Sequence, residues 1–290
     1  MLNDNPRDDF AILFLTHGRA DSICTVETVK RCGYTGKYYI VIDDEDEQES
    51  LYREKFGDKV IKFCKKEVDA WTDRGDNRYW DKRAILWARN ASFEIARKLG
   101  LTYFMMLEDD QADMQIRLTD EDENVLSSQG IRHFNAWINI GIEFLENTKA
   151  KTVCFGQGGD TIGGINSRAV RGLLKYKTMN SFICRADTPI VFKGRFNEDC
   201  THYVQGWMRG EMQWSIMALQ VQQKNTASIA GGMTETYKEN GTYAKTVMSI
   251  LYVPSAVRTS FLHGLKTARV HHNVIWNNCV PKIIHYDYCK

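Results

Sequence analysis

KRAILWARNASFEIARKLGLTYFMMLEDD, residues 82–110, holds two patterns in succession. In the first, Ala84/Ile85, Ala88, Ala91, Ile95 and Leu99 recur at three and four residues, which predicts an amphipathic helix. Asp81 is placed to cap its start, and Gly100 stands where a left-handed residue would close it. The second pattern, Thr102 to Leu107, is apolar throughout and too short for another helix, so it predicts a strand covered on both faces. Glu108, Asp109 and Asp110 then emerge at the carboxyl end of that strand, where open α/β sheets take their ligands. A solvated acidic turn is the plain alternative for three such residues. A buried strand directly in front of them argues for a site.

The chain on the N-terminal side repeats the strand and helix alternation. Phe10 to Leu15 reads as a strand, Asp21 to Cys32 as a helix ended by Gly33, and Tyr38 to Ile42 as a second strand. A polar helix from about Glu45 to Phe56 and a strand at Val60 to Phe63 lead back to the 82–110 stretch. The first 110 residues therefore predict a parallel, Rossmann-like α/β sheet with right-handed crossovers and flanking helices. Its ligand edge would collect three loops: Thr16-His17-Gly18-Arg19, Asp43-Asp44-Glu45 and Glu108-Asp109-Asp110. Gly18 permits close approach of a ligand, and Arg19 is suited to a two-point contact with phosphate or to stacking on a base. Either Asp43 or Asp44 would read the base or ribose. The plain readings are a turn for His17 and an acidic helix start for Asp44 to Glu49.

Several classes are disfavoured. No GxGxxG follows the first strand and no GxxxxGK[ST] occurs, which argues against a dinucleotide oxidoreductase and a P-loop enzyme. The eight cysteines show neither a CxxC pair nor zinc-type spacing and read as reduced thiols. Neither a signal peptide nor an apolar run long enough for a bilayer is evident, so a cytoplasmic location without membrane contact is expected. With four prolines and no Gly/Ser tract, residues 1–290 read as a single domain. Within it, 8–115 and 150–290 read as two halves.

Charge divides the chain in the same place. Residues 1–150 carry 21 Lys and Arg against 29 Asp and Glu, a net of −8, and residues 151–290 carry 17 against 8, a net of +9. A basic half suits a polyanionic partner such as nucleic acid. Arg168, Arg171, Lys175, Lys177 and Arg185 cluster in sequence. Beyond an acidic loop at Asp120 to Glu123, a helix is expected from about Ile131 to Asn147, a strand at Thr152 to Phe155, a tight turn at Gln157 to Asp160, and a helix at about Trp207 to Gln222.

These residues resemble a known pattern. A short first strand with a nucleotide loop, a helix bearing Ala88-Arg89-Asn90, and a strand ending in acids resemble the nucleotide-sugar half of a GT-A fold glycosyltransferase, which implies that 8–115 bind nucleotide-sugar and metal and that 150–290 bind acceptor and carry catalysis. Gly194-Arg195-Phe196-Asn197-Glu198-Asp199 is similar to the Gly-Arg-x-Asn-Glu-Asp signature of the TET-associated glycosyltransferases, which modify hydroxymethylated pyrimidines in phage DNA. The resemblance implies that Asp110 binds Mn²⁺ or Mg²⁺ and that Glu108, where the pattern has aspartate, contacts the ribose, the metal or its water. Asp109 would face the sugar or a supporting partner. Arg89 and Asn90, with Arg83 as a further candidate, would orient the sugar or phosphates. His263 and Lys266, in a segment resembling the C-terminal histidine and lysine of GT-A enzymes, would complete the metal shell and grip the diphosphate.

A leaving diphosphate develops negative charge that a carboxylate-held cation offsets. For an inverting transfer an acceptor hydroxyl also needs a base, for which Asp199 is the first candidate and Glu198 the second; in a retaining transfer they would position acceptor or sugar. A salt-bridged turn with Arg195 is the structural alternative. The implied reaction moves glucose or a pentose such as arabinose from a UDP-sugar to the hydroxymethyl group of 5-hydroxymethylcytosine in DNA. Trp207, Trp214, Tyr203 and Tyr243 are candidates to stack on a flipped base, although aromatic rings more often pack cores. Rival readings are a transferase acting on a glycan or protein, and a nucleotide-binding module without catalysis. A nucleotidyltransferase would show a longer glycine-rich loop than Thr16 to Arg19.

Overall fold

The computed structural model describes residues 3–77, 83–119, 126–172, 176–223, 243–263 and 268–279. In chain order the elements are β1 (Phe10–Leu15), α1 (Thr25–Arg31), β2 (Lys37–Asp43), α2 (Glu49–Phe56), β3 (Val60–Phe63), α3 (Lys65–Asp69), α4 (Leu86–Lys98) and β4 (Tyr103–Glu108). There follow β5 (Gln111–Thr119), β6 (Leu126–Gly130), α5 (Phe134–Asn147), β7 (Thr152–Gln157), β8 (Ser181–Arg185), α6 (Glu198–Met208) and β9 (Gln213–Gln223). The last are α7 (Tyr243–Tyr252), β10 (Val257–His263), β11 (Ala268–Val274) and α8 (Trp276–Cys279).

Among the described residues, nine strands form one sheet in the order β3-β2-β1-β4-β8-β7-β9-β5-β6, and β10 and β11 form a separate antiparallel pair. The pairings β3·β2, β2·β1, β1·β4 and β7·β9 are parallel and the other four antiparallel, so only β5 and β8 run against the remaining seven strands. This is the mostly parallel α/β architecture expected from the sequence. The carboxyl ends of β1, β2, β4 and β7 consequently share one edge.

Both faces of the parallel half are covered, which explains its unbroken apolar runs. Ile12, Phe14, Ile40, Ile42, Met105 and Leu107 pack with Val26 and Val29 of α1 and with Phe134, Ile138, Ile142 and Leu145 of α5. Ala11, Leu13, Val41, Phe104 and Met106 face the other way, onto Leu86, Trp87, Ala91 and Ile95 of α4. The expected α4 stripe is only partly the buried face: Ala84, Ile85, Ala88 and Leu99 are half-covered, whereas Trp87 and Phe93 are fully buried. Gly100 has φ +69°, as its closing role requires; Asp81 lies outside the described residues.

Two expectations change. The helix expected over 207–222 is absent. Helix α6 ends at Met208, Gly210 turns the chain at φ +79°, and 213–223 is strand β9 between β7 and β5. Long-range pairing on both sides outweighs the local helical spacing there. The helix expected from Glu45 begins at Glu49, because Asp43 and Asp46 accept the N–H groups of Glu45 and Gln48 and fold those residues into turns. The acidic loop at 120–123 lies outside the described residues, and its flanks pair as the β5·β6 hairpin.

Candidate active site

The loop after β1 is pinned from below. Thr16 donates its hydroxyl to Asp109 Oδ2 at 2.7 Å, and Arg19 Nη1 reaches Asp109 Oδ1 at 2.8 Å. Gly18, at φ +64°, donates its N–H to Asp46; the Arg19 N–H donates to the Tyr52 hydroxyl, and the Ala20 N–H to Gln48 Oε1. Asp109, 4% exposed, thus turns back beneath the loop as a support for Thr16 and Arg19.

Next to this loop, His17 Nδ1 lies 2.9 Å from Asp43 Oδ2, and the buried Lys65 reaches the same oxygen at 3.3 Å. The bond to Asp43 raises the His17 pKa despite burial. Burial works to raise the pKa of Asp43, but His17 and Lys65 outweigh it and the net shift is downward. Asp44 is exposed and accepts the N–H of Lys65 at the start of α3. Of the two candidates, Asp43 is the one inside the loop cluster. Lys65, Asp46 and Tyr52 were not foreseen; each serves through a contact that sequence spacing does not display.

Arg89 is 2% exposed and stands among acids rather than free for a phosphate. It donates to Glu108 Oε1 at 2.5 Å, Glu198 Oε1 at 2.6 Å and Asn180 Oδ1 at 3.1 Å. Gln223 Nε2 donates to Glu108 Oε2 at 3.2 Å, and Asn180 Nδ2 donates to Gln223 Oε1 at 3.1 Å. Arg89, Glu108, Gln223 and Asn180 therefore close a ring of four hydrogen bonds. Asn180 holds its place at φ +55°, an uncommon value for a residue with a side chain. Neither Asn180 nor Gln223 was expected, and reading 213–223 as a strand would have been needed to bring Gln223 to this edge.

Asn90 has a different task from the one expected. Its amide exchanges two hydrogen bonds with the main chain of Phe192, at 2.9 and 3.1 Å, and also donates to Thr72. That fully occupied amide ties α4 to the segment before the Gly194 motif. Arg83 is half-buried just ahead of α4.

Gly194 to Asp199 connect three parts of the molecule. The N–H groups of Gly194 and Arg195 donate to the carbonyls of Asp73 and Arg74, and Arg195 pairs with Asp76 at 2.8 Å. The guanidinium of Arg195 thus reaches across to Asp76, a departure from the salt-bridged turn given as the structural alternative. Asn197, at φ +54°, directs Nδ2 to Lys245 O, Ser249 Oγ and His272 Nδ1. Glu198 and Asp199 then occupy the first turn of α6, both buried, and Asp199 Oδ1 accepts the Cys200 N–H at 2.7 Å. Burial, followed by the opposing pull of Arg89, leaves the Glu198 pKa raised.

The acids are short of positive charge. Burial raises the Glu108 pKa against the pull of Arg89, and Asp110, Glu198 and Asp199 add to the rise. The Asp110 pKa is pushed up to about 6, by burial first and Asp109 second. Asp110 Oδ1 is buried and has no hydrogen-bond partner among the described residues. Such an oxygen, amid like charges, is what a hard divalent cation satisfies. Both oxygens of Glu108 are engaged, so Asp110 is the member of the expected pair with an oxygen to give. No group of three or more His, Cys, Asp or Glu side chains stands ready to hold a metal among the described residues. The His263 side chain and Lys266 lie outside them.

Of the aromatics considered for base stacking, Tyr203 and Trp207 are core residues. Tyr203 stacks on Trp276 at 5.6 Å, and Trp207 packs edge-on against Tyr176 and Trp214. Tyr243 is exposed. No described helix is long and apolar enough to cross a membrane.

The model of one family, TET-Associated Glycosyltransferase, matches residues 10–232. Comparison with curated proteins gave no match. Similar solved structures include glucosyl-3-phosphoglycerate synthase from Mycobacterium tuberculosis with Mn²⁺, UDP and phosphoglyceric acid, at 10% identity and TM-score 0.45 over 92% of this chain and 87% of that one. The same enzyme with Mn²⁺, UDP-glucose and phosphoglyceric acid gives 10% identity and TM-score 0.47 over 90% and 86%. A further mycobacterial protein gives 10% identity and 0.46 over 90% and 82%.

Proposed function

We propose, from the premise that this chain belongs to the TET-associated glycosyltransferase family, that it moves glucose or a pentose from a UDP-sugar to the hydroxymethyl oxygen of 5-hydroxymethylcytosine in phage DNA. The observation that carries the donor half of this reading is the buried, unpartnered Oδ1 of Asp110 in an acid cluster at the strand ends. Mn²⁺ or Mg²⁺ held there would offset the charge that develops on the departing diphosphate. Thr16 to Arg19, braced by Asp109, Asp46 and Tyr52, would line the nucleotide side, with His17 and Asp43 toward the base or ribose.

On the acceptor side Asp199 is the proposed base. In an inverting transfer its carboxylate takes the proton of the hydroxymethyl group as that oxygen bonds to the anomeric carbon and the bond from that carbon to the diphosphate oxygen breaks, releasing UDP. In a retaining transfer Asp199 would hold the acceptor instead, and the anomeric configuration of the product distinguishes the two. Glu198, bound to Arg89, sets the position of that guanidinium. His263 and Lys266 remain proposed partners of the metal and the diphosphate.

The test is incubation with Mn²⁺, a panel of UDP-sugars and DNA containing 5-hydroxymethylcytosine, followed by digestion and mass analysis of the nucleosides. The reading requires one hexose or pentose increment on 5-hydroxymethyldeoxycytidine, lost in Asp110→Ala. No increment with any donor would overturn it.

A further inference from the structure

The buried acids set a problem for a base in a duplex, which must leave the stack before its hydroxymethyl group can meet them. A loop lies on the same edge of the sheet as those acids. Residues 158–172 follow β7, whose carboxyl end lies with those of β1 and β4.

The base of the loop is rigid. Asp160 accepts the Gln157 N–H and pairs with Lys177 Nζ at 2.5 Å, and Thr161 donates to Gln220 of β9. A Cβ on Gly158 would fall 1.8 Å from Gln222 Oε1, so the loop sits directly on the end of β9. The next residue, Gln223, holds Glu108. The loop is therefore a structural neighbour of the proposed site.

Ile162 stands at the tip and is 82% exposed, more than any other large apolar residue described. A lone exposed aliphatic is ordinary on a protein surface; what sets Ile162 apart is its mounting. The Ile162 N–H donates back to Gly159 O, and Gly163 and Gly164 follow at φ +101° and +61°, so the backbone projects the side chain outward on a braced turn. Arg168 and Arg171 are exposed on the same loop, and Val170 is 44% exposed between them. An apolar tip beside arginines is complementary to stacked bases between phosphates. Proteins that kink or open duplexes insert aliphatic wedges in this way.

We propose that Ile162 is a wedge that enters the base stack of a DNA duplex beside the target nucleotide, with Arg168 and Arg171 on the flanking phosphates. The proposal rests on the reading of DNA as acceptor. The test compares wild type with Ile162→Ser on duplex and single-stranded oligonucleotides containing 5-hydroxymethylcytosine, and follows the fluorescence of 2-aminopurine placed next to the target in the duplex. The wedge predicts at least a tenfold loss of transfer to duplex with single-stranded transfer unchanged, and loss of the fluorescence rise that wild type produces on binding. Arg168→Ala and Arg171→Ala should each reduce the salt slope of duplex binding by about one. Equal duplex and single-strand rates in Ile162→Ser, relative to wild type, with the fluorescence rise retained, would overturn the wedge alone. Failure of wild type to modify either form of DNA would overturn the acceptor reading and the wedge with it.

Discussion

Arg89 Nη2 and Glu108 Oε1 lie 2.5 Å apart at the end of β4, and the other amino nitrogen of the same guanidinium holds Glu198 at 2.6 Å. One buried cation thus joins the acidic end of the N-terminal strands to the first turn of α6. Its removal takes the main counter-charge from the buried Glu198 and the half-buried Glu108, a change that costs roughly 3–5 kcal/mol. Arg89→Ala should lower unfolding stability by about that amount in urea titration. A loss below about 1 kcal/mol would mean that the two acids find other partners.

The hydrogen-bond ring makes a finer prediction. Gln223 holds Glu108 Oε2 and Asn180 holds Gln223. Gln223→Ala should cost about 1 kcal/mol of stability by removing two hydrogen bonds among half-buried groups. Gln223→Glu should be worse than Gln223→Ala, because it places another carboxylate against Glu108. Urea midpoints of the two variants give the order directly.

His202 supplies a pH dependence. It is fully buried beside Phe182 and Phe192, at ring distances of 6.1 and 5.0 Å, and its Nε2 has no partner among the described residues. Burial, with Arg209 second, pushes its pKa down to about 3. The unfolded chain takes up this proton below about 6.5, whereas the folded chain refuses it until about 3. The His202 contribution is therefore fully present above about 6.5 and declines as pH falls, by about 1.4 kcal/mol per pH unit within that window. Between pH 6 and pH 4.5 wild type should lose about 2 kcal/mol relative to His202→Phe, measured by urea unfolding at each pH. Parallel pH profiles would place the ring in contact with water.

The parallel half was legible because its signals are local. Phe10 to Leu15 and Val60 to Phe63 match β1 and β3 residue for residue, since a fully covered strand writes itself as an apolar run between turn residues. The loops that meet at the edge followed from that order alone. What sequence did not display is the set of partners. Asn90 looked free to meet a sugar but is consumed by the Phe192 main chain, and Lys65, Asn180 and Gln223 join the cluster only through contacts 22 to 115 residues away in sequence. The misjudged 207–222 segment has the same origin, because β9 is a strand by virtue of neighbours on both sides.

The carboxyl group of Asp110 is the point on which the account turns. Asp110→Asn keeps the shape and removes a charge that burial and Asp109 disfavour, so folding should be unaffected or slightly stabilised by thermal melting. Titration calorimetry of UDP into wild type and Asp110→Asn, with and without Mn²⁺, is the most direct measurement. Wild type should bind UDP tightly only when Mn²⁺ is present, and Asp110→Asn should lose roughly a hundredfold in that affinity. Equal, Mn²⁺-independent binding of UDP by both proteins would contradict the assignment of the β4 strand end as the metal and diphosphate site.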